Sequence, residues 1–309
     1  MYMTTRREFL KYSAMLVGAM AIGDAGAKTT GDITKTWNSK KKSGFTLWQI
    51  PSHSNTIGNS YVFQTAKGKV IVMDGGFPEE ANTLRGFIGA LGNEVEAWFI
   101  SHPHNDHMGA LTEILKNPQE MKIKHIYHSR ISKTVQAAEG PYSPSCQDFY
   151  DLLDKTTIPV TDIRTPGDVF SYDDMKLKVL SVANEITTNA YNNSSMIMRV
   201  WDKKKTIVFL GDAGIECGNL ALNGPFRDDL DCEYLQMAHH GQNGCDKHFY
   251  QSIKFRVCLW STPSWVWNND QGKGFNTGIL KTVETRTWMK EIGIKEHHVT
   301  CEEGLWKLS

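Results

Sequence analysis

The chain has 309 residues, 40% of them hydrophobic and 22% charged, with 10 prolines. That composition excludes a disordered tail, a collagen-like repeat and a small disulfide-stapled peptide, and the length suffices for one large core. The 34 basic and 34 acidic residues cancel, so no bulk positive field exists to hold nucleic acid nonspecifically, and any such partner must be gripped locally.

Thr4 to Lys11 carries a twin-arginine pattern at Arg6 and Arg7, followed by a mildly apolar stretch from Tyr12 to Gly23 that is too short to span a bilayer as a mature helix. Ala25-Gly26-Ala27 fits an A-x-A cleavage site, with no cysteine nearby to accept a lipid. The pattern predicts an export signal over residues 1–27 and a mature chain from Lys28 to Ser309. That chain would have no membrane span and lie in the periplasm or outside the cell. Its 31 basic and 32 acidic residues leave a net charge of −1, so the neutrality argument holds. Six cysteines, at 146, 217, 232, 245, 258 and 301, form no CxxC pair, which removes a zinc-ribbon or thioredoxin-type reading. An oxidising compartment permits disulfides. Lys40-Lys41-Lys42 reads as a solvated leader to the first strand.

Phe45 to Ile50, Tyr61 to Phe63 and Lys69 to Met73 are β-rich runs separated by Ser, Asn and Gly, which predicts neighbouring strands. From Pro78 to Leu91 the apolar positions Ala81, Leu84, Phe87, Ile88 and Leu91 recur at helical spacing, with Pro78 suited to the first turn. Val95 to Ile100 is the next strand. Met175, Leu177 and Val179 alternate with lysines, and the runs 196–200 and 206–210 flank Asp202-Lys203-Lys204-Lys205, a hairpin with a solvated turn. The last unit reads as strand Phe255 to Trp260, helix from about Ile279 to Lys290, strand Glu296 to Val299 and a closing hairpin. No repeat or linker divides residues 28–309. Two sheets sandwiched by helices, an α/β architecture, fit this order.

Chemistry concentrates where strands end. Ser101 to Gly109 places three histidines and a carboxylate within six residues, His102, His104, Asp106 and His107, directly after the Trp98-Phe99-Ile100 strand. Imidazoles and carboxylates are the donors that zinc or a similar divalent ion takes, and a loop leaving a rigid strand can aim several inward. Asp74, Asp212 and the pair His239-His240 stand at three further strand ends.

Taken in order, these residues resemble the metallo-β-lactamase superfamily over nearly the whole mature chain. The resemblance implies a four-layer αββα sandwich. It assigns His102 and His104 to a first metal, Asp106, His107 and a histidine of the 239/240 pair to a second, Asp212 as the bridge and Asp74 as a buried carboxylate that orients a ligand. His240, just before Gly241, matches the usual ligand position, with His239 buried or standing behind it. Asn192 to Met196, Leu210-Gly211-Asp212, His239-His240-Gly241 and the stretch from Ile292 to Gly304 are similar to the hydrolase domain of ComEC-type DNA-uptake proteins, although the transmembrane channel of those proteins is absent. The implied activity is metal-dependent hydrolysis of a phosphodiester, in a small molecule or nucleic acid, by a metal-activated water that Asp106 or Asp212 orients. A lactone, β-lactam or other acyl hydrolase and a noncatalytic metal-binding module are the alternatives.

Two departures bear on this. No histidine lies between His128 and His239, so the separate histidine the superfamily places before its bridging aspartate is missing. Glu185, Asn189, Tyr191 or Asn192 could supply oxygen instead, and oxygen for nitrogen shifts preference from Zn2+ toward Mn2+ or Mg2+. One or two ions are compatible with the donors. The Tyr-Gly-His-Pro turn of the superfamily has no counterpart around Asn268 to Thr277. Trp260, Trp265 and Trp267 read as core or rim packing, with a stacking wall for bases or sugars as the sharper alternative. Cys217 and Cys245, each five residues past a site residue, are expected near the site mouth. His125, His128, His297 and His298 are expected to pack or face solvent. The sequence carries no signal for oligomeric state.

Overall fold

The structure is a computed structural model that describes residues 43–309. The leader, the Lys28 start and the Lys40–Lys42 run lie outside the described residues.

Strands β1 (Phe45–Gln49), β2 (Ser60–Thr65) and β3 (Val70–Asp74) form an antiparallel meander. A 3-10 turn at Pro78–Glu80 leads into helix α1 (Ala81–Gly89), so the expected helix over 78–91 is present with a tighter first turn. Strand β4 (Glu94–Phe99), helix α2 (Asn105–Lys116), β5 (Lys122–Ile123) and β6 (Ile126–His128) follow. Helices α3 (Lys133–Ala138) and α4 (Ser143–Lys155) then lead to β7 (Val160–Asp162). Beyond β3 the pairing turns parallel, β3 to β4 to β6 to β7.

The second sheet begins with the antiparallel strands β8 (Val169–Tyr172), β9 (Met175–Val179), β10 (Met198–Trp201) and β11 (Thr206–Phe209). It continues in parallel through β12 (Tyr234–Gln236), β13 (Val257–Trp260) and β14 (Glu296–Val299). The chain does not close on a local hairpin. After β14 a short helix and a turn at Gly304 carry it across to the first sheet, where β15 (Trp306–Leu308) pairs antiparallel with β1. The last long helix occupies Thr282–Ile292 rather than 279–290; Ile279 is 82% exposed in the preceding loop, and Gly293, at φ 94, caps the end.

Three apolar layers hold these elements together. Inner-face residues such as Phe63, Met73 and Phe99 meet Leu177, Met198 and Phe209 between the sheets. Val72 and Trp98 on the other face of the first sheet pack against Leu84, Leu111 and Phe149 of the helices. Val208, Leu235 and Cys258 pack outward against Cys217, Phe249 and Met289. Each sheet is thus covered on both faces, which is why its central strands read as continuous apolar runs. The architecture is the four-layer αββα sandwich.

Two side chains depart from their sequence reading. Lys205, expected in a solvated turn, is buried: its Nζ donates to the Phe45 carbonyl at 2.6 Å and lies 4.5 Å above the Phe45 ring, and burial pushes its pKa down to about 8. Glu80 is also buried, and its carboxylate fills the space beside Gly58 and Gly76. Burial raises its pKa to about 7, against the opposing hydrogen bonds of Ser52 and Thr56. The folded chain then holds this proton up to about pH 7 while the unfolded chain releases it near 4.5, so folding stability falls as pH rises through that window, by about 3 kcal/mol. Glu80→Gln removes this slope. Denaturant unfolding should show the variant gaining about 3 kcal/mol on the wild type between pH 4.5 and pH 8. Parallel pH profiles would show that Glu80 titrates alike in both states.

Candidate metal centre

The carboxyl ends of the parallel strands β3, β4, β11, β12 and β13 lie along one edge of the sandwich, the usual place for a ligand crevice in parallel sheets. Asp74 is the last residue of β3; His102 and His104 leave β4; Asp106 and His107 occupy the first turn of α2. Asp212 follows β11 and the histidine pair follows β12. Asp106 at a helix N-terminus is favoured by the helix dipole.

Two donor clusters meet at Asp212. Asp106, His107, Asp212 and His240, all buried, bring one donor atom each within 4.8 Å of one another, and His102, His104 and Asp212 do the same. In the four-donor cluster, His107 Nε2 is 3.1 Å from Asp212 Oδ1, and His240 Nε2 is 3.0 Å from Asp106 Oδ2 and 3.4 Å from Asp212 Oδ2. In the three-donor cluster, His102 Nε2 and His104 Nδ1 are 3.0 Å apart, and His102 Nε2 is 3.9 Å from Asp212 Oδ2. His239 lies outside both clusters but close by, its Nε2 3.8 Å from Asp212 Oδ2. Every site residue expected from the sequence therefore sits in or beside this one region.

Buried side chains hold the donors from behind. Asp74 takes four hydrogen bonds, from Ser101 N (2.7 Å) at one oxygen and from Asn59 Nδ2 (2.8 Å), Ser101 Oγ (2.9 Å) and His107 Nδ1 (2.8 Å) at the other. With Nδ1 so engaged, His107 turns Nε2 toward Asp106 and Asp212. Glu139 does the same for His104, meeting Nε2 at 3.0 Å and leaving Nδ1 to face His102. His240 Nδ1 donates to the Ser261 carbonyl at 3.0 Å. Such carboxylate and carbonyl partners fix the ring and tautomer of a metal-binding histidine. Ser101, Asn59 and Glu139 carry no signal in the sequence, although Ser101 adjoins the histidine motif.

The electrostatics favour a cation. Burial and the neighbouring His107 push the His102 pKa well below its ordinary value, keeping that imidazole neutral. Burial also opposes a proton on His107 and His240, yet the carboxylates around them prevail. Asp212, Asp74 and Asp106 raise His107 well above the ordinary value, and Asp212 and Asp106 raise His240 to about 9. Burial would raise Asp212, but His107, His240 and His239 hold it well below the usual carboxylate range. His107 Nε2 and Asp212 Oδ1 are buried without a well-formed hydrogen bond although 3.1 Å apart. Two unpaired buried groups aimed at a common space, among carboxylates whose negative field draws protons onto His107 and His240, fit a divalent ion that would take the place of those protons. The cluster could bind one.

The surroundings are less reactive than the sequence suggests. Trp260 and Trp267 are core residues, 0% and 8% exposed, leaving only Trp265 near the surface, where its Nε1 donates to the Asn55 carbonyl. Cys217 and Cys245 lie in the core, not at the site mouth: the helix after Asp212 turns Cys217 inward, and the loop after Gly241 packs Cys245 against the same core. All six cysteines are free.

The family model for the metallo-beta-lactamase superfamily matches residues 54–242. Among solved structures, the metallo-beta-lactamase fold protein YhfI from Bacillus subtilis is 13% identical at a TM-score of 0.52, with 86% of this chain and 100% of that chain covered. The E377D mutant of the CmlA beta-hydroxylase is 11% identical at a TM-score of 0.50, covering 99% of this chain and 60% of that one. At these identities the likeness is one of fold. No curated protein matches the sequence. With the family match running from the loop before β2 to just past the paired histidines, the chain belongs to the metallo-β-lactamase superfamily.

Proposed function

We propose that the chain is an exported metal-dependent phosphodiesterase whose mature form begins at Lys28. Hydrolysis is supported by family membership, since the superfamily consists mostly of metal-dependent hydrolases. The observation that carries the phosphodiester is the meeting of two donor clusters at one carboxylate, Asp212. Paired cations suit the attacking and leaving oxygens of an in-line displacement. The ComEC-like motifs point the same way, and the twin-arginine pattern supports export. CmlA is named a β-hydroxylase, so the fold by itself leaves the reaction open. Among the described residues no helix is long and apolar enough to cross a membrane.

In this reading His102 and His104 hold one ion, Asp106, His107 and His240 hold the other, and Asp212 serves both. Zinc suits the mixed imidazole and carboxylate set. When bound, such ions supply Lewis acidity and acidify water toward neutrality. Asp106 or Asp212 would orient the attacking water, one of the two taking up its proton at a carboxylate oxygen. Asp74 and Glu139 keep His107 and His104 turned toward their donor clusters.

Protein recovered from the periplasm should begin at Lys28 and hydrolyse bis(p-nitrophenyl) phosphate or single-stranded DNA; a chelator should abolish turnover and zinc restore it. Nitrocefin turnover without phosphodiester turnover would replace the substrate class with an acyl compound. Bound metal with no turnover on either would make the chain a binding module.

A further inference from the structure

The two donor clusters around Asp212 are unequal: one has four donors, the other only His102, His104 and Asp212. An ion held by those three has a free position that a further protein group or a water must fill. Four nearby groups are engaged elsewhere. Glu139 meets His104 on the ring edge facing away from His102. Glu185 is exposed and accepts from Ser132 Oγ at 2.7 Å, Asn189 Oδ1 accepts from Asn192 Nδ2 at 2.8 Å, and the Tyr191 hydroxyl donates to the Gln136 carbonyl at 3.1 Å.

His239 is placed differently. Its Nε2 approaches the same Asp212 oxygen as His102 and His240, at 3.8 Å against 3.9 Å and 3.4 Å. It gets there through a rare backbone: His239 and His240 are consecutive non-glycine residues in the left-handed region, at φ 53 and φ 55. Residues held in that region cost about 1–3 kcal/mol each and persist where the surroundings require them. Adjacent side chains on an extended strand point to opposite faces. This turn instead brings two successive imidazoles to one carboxylate oxygen.

We infer that His239 is a ligand of the first ion, giving Nε2 alongside His102, His104 and Asp212. The inference rests on the metal-site reading and is independent of the substrate. Donors about 2.0–2.2 Å from a tetrahedral ion stand roughly 3.4 Å apart, so the 3.8 Å approach needs only a small shift of a side chain that is 18% exposed. The ligand is then a divalent ion that accepts three imidazoles and a carboxylate, which favours zinc over the harder manganese and magnesium.

The test is zinc titration of the metal-free mature protein by calorimetry with chelator competition. Wild type should take up two ions. His239→Ala should take up one, the other weakening by more than about a hundredfold, beyond the loss typical of a residue behind the ligands. His239→Gln, which keeps most of the bulk, gives the same loss if alanine disrupts the turn, and unchanged thermal unfolding of the metal-free variants confirms intact folding. Asn192→Ala, which removes a nearby side-chain oxygen that is buried without a partner, should keep both ions. Two ions held at wild-type affinity in both His239 variants overturn the assignment. So does a wild type that binds one ion, or loss of an ion in Asn192→Ala alone. Two ions in wild type with no phosphodiester turnover overturn the proposed function while the variants still decide the role of His239.

Discussion

Asp212→Asn should strip the centre of both ions and reduce turnover by at least about a thousandfold, which is ~4 kcal/mol of transition-state stabilisation. Asp212 is 1% exposed and belongs to both donor clusters. One oxygen faces His107 at 3.1 Å; the other faces His240 at 3.4 Å. The amide keeps the volume, and the bond from the Asp212 backbone N–H to Ser195 Oγ, 3.0 Å, does not involve the side chain. What is lost is the negative charge and one oxygen acceptor, the two properties a shared metal ligand must have. Elemental analysis with turnover on the same preparation checks this. A variant that keeps two ions and normal turnover would remove Asp212 from the centre.

Gly241→Ala should destabilise the metal-free protein by about 2–5 kcal/mol, combining the cost of a left-handed non-glycine residue with overpacking of a core. Gly241 has φ 80, and a Cβ there would stand 2.2 Å from Trp260 Cζ3 and 2.4 Å from Cε3. The indole cannot retreat easily. It is fully buried, donates from Nε1 to His297 Nδ1 at 3.1 Å and packs edge-on against Trp267 at 5.2 Å. The neighbouring turn is pinned as well, by the bond from Thr262 Oγ1 to the His240 carbonyl at 2.7 Å. Relief would therefore come by displacing the histidine pair, so metal affinity should fall together with stability. Urea unfolding of the metal-free protein measures the first effect; a change below about 0.5 kcal/mol, ordinary for a surface substitution, would show that the loop yields freely.

The part of the centre that can be read from the sequence is the part whose chemistry is contiguous. His102, His104, Asp106 and His107 fall within six residues, and their shared position at a strand-to-helix junction follows from the local apolar pattern. The strands were legible because burial on both faces gives unbroken runs such as Val70 to Met73. What stayed hidden depends on tertiary placement. Glu139 reaches His104 across 35 residues of sequence, from a loop whose position only the packed helices determine. The crossing of β15 to pair with β1 depends on which sheet edge is open, which no local pattern encodes. Lys205 reads as a charged turn residue, but its long apolar stem and the Phe45 carbonyl, which it shares with the Ser43 hydroxyl, draw it inward. Cys217 and Cys245 keep the expected spacing from Asp212 and His240, yet a helix in the first case and a loop in the second turn both into the core.

The most direct measurement of the central claim, that one carboxylate joins two metal sites, is metal content per chain by elemental analysis on protein exported natively and purified without chelator. About two ions per chain, zinc foremost, is the expected result. A chain free of metal that also fails to take up zinc on titration would contradict it and leave the buried histidines and aspartates as a proton-holding network alone.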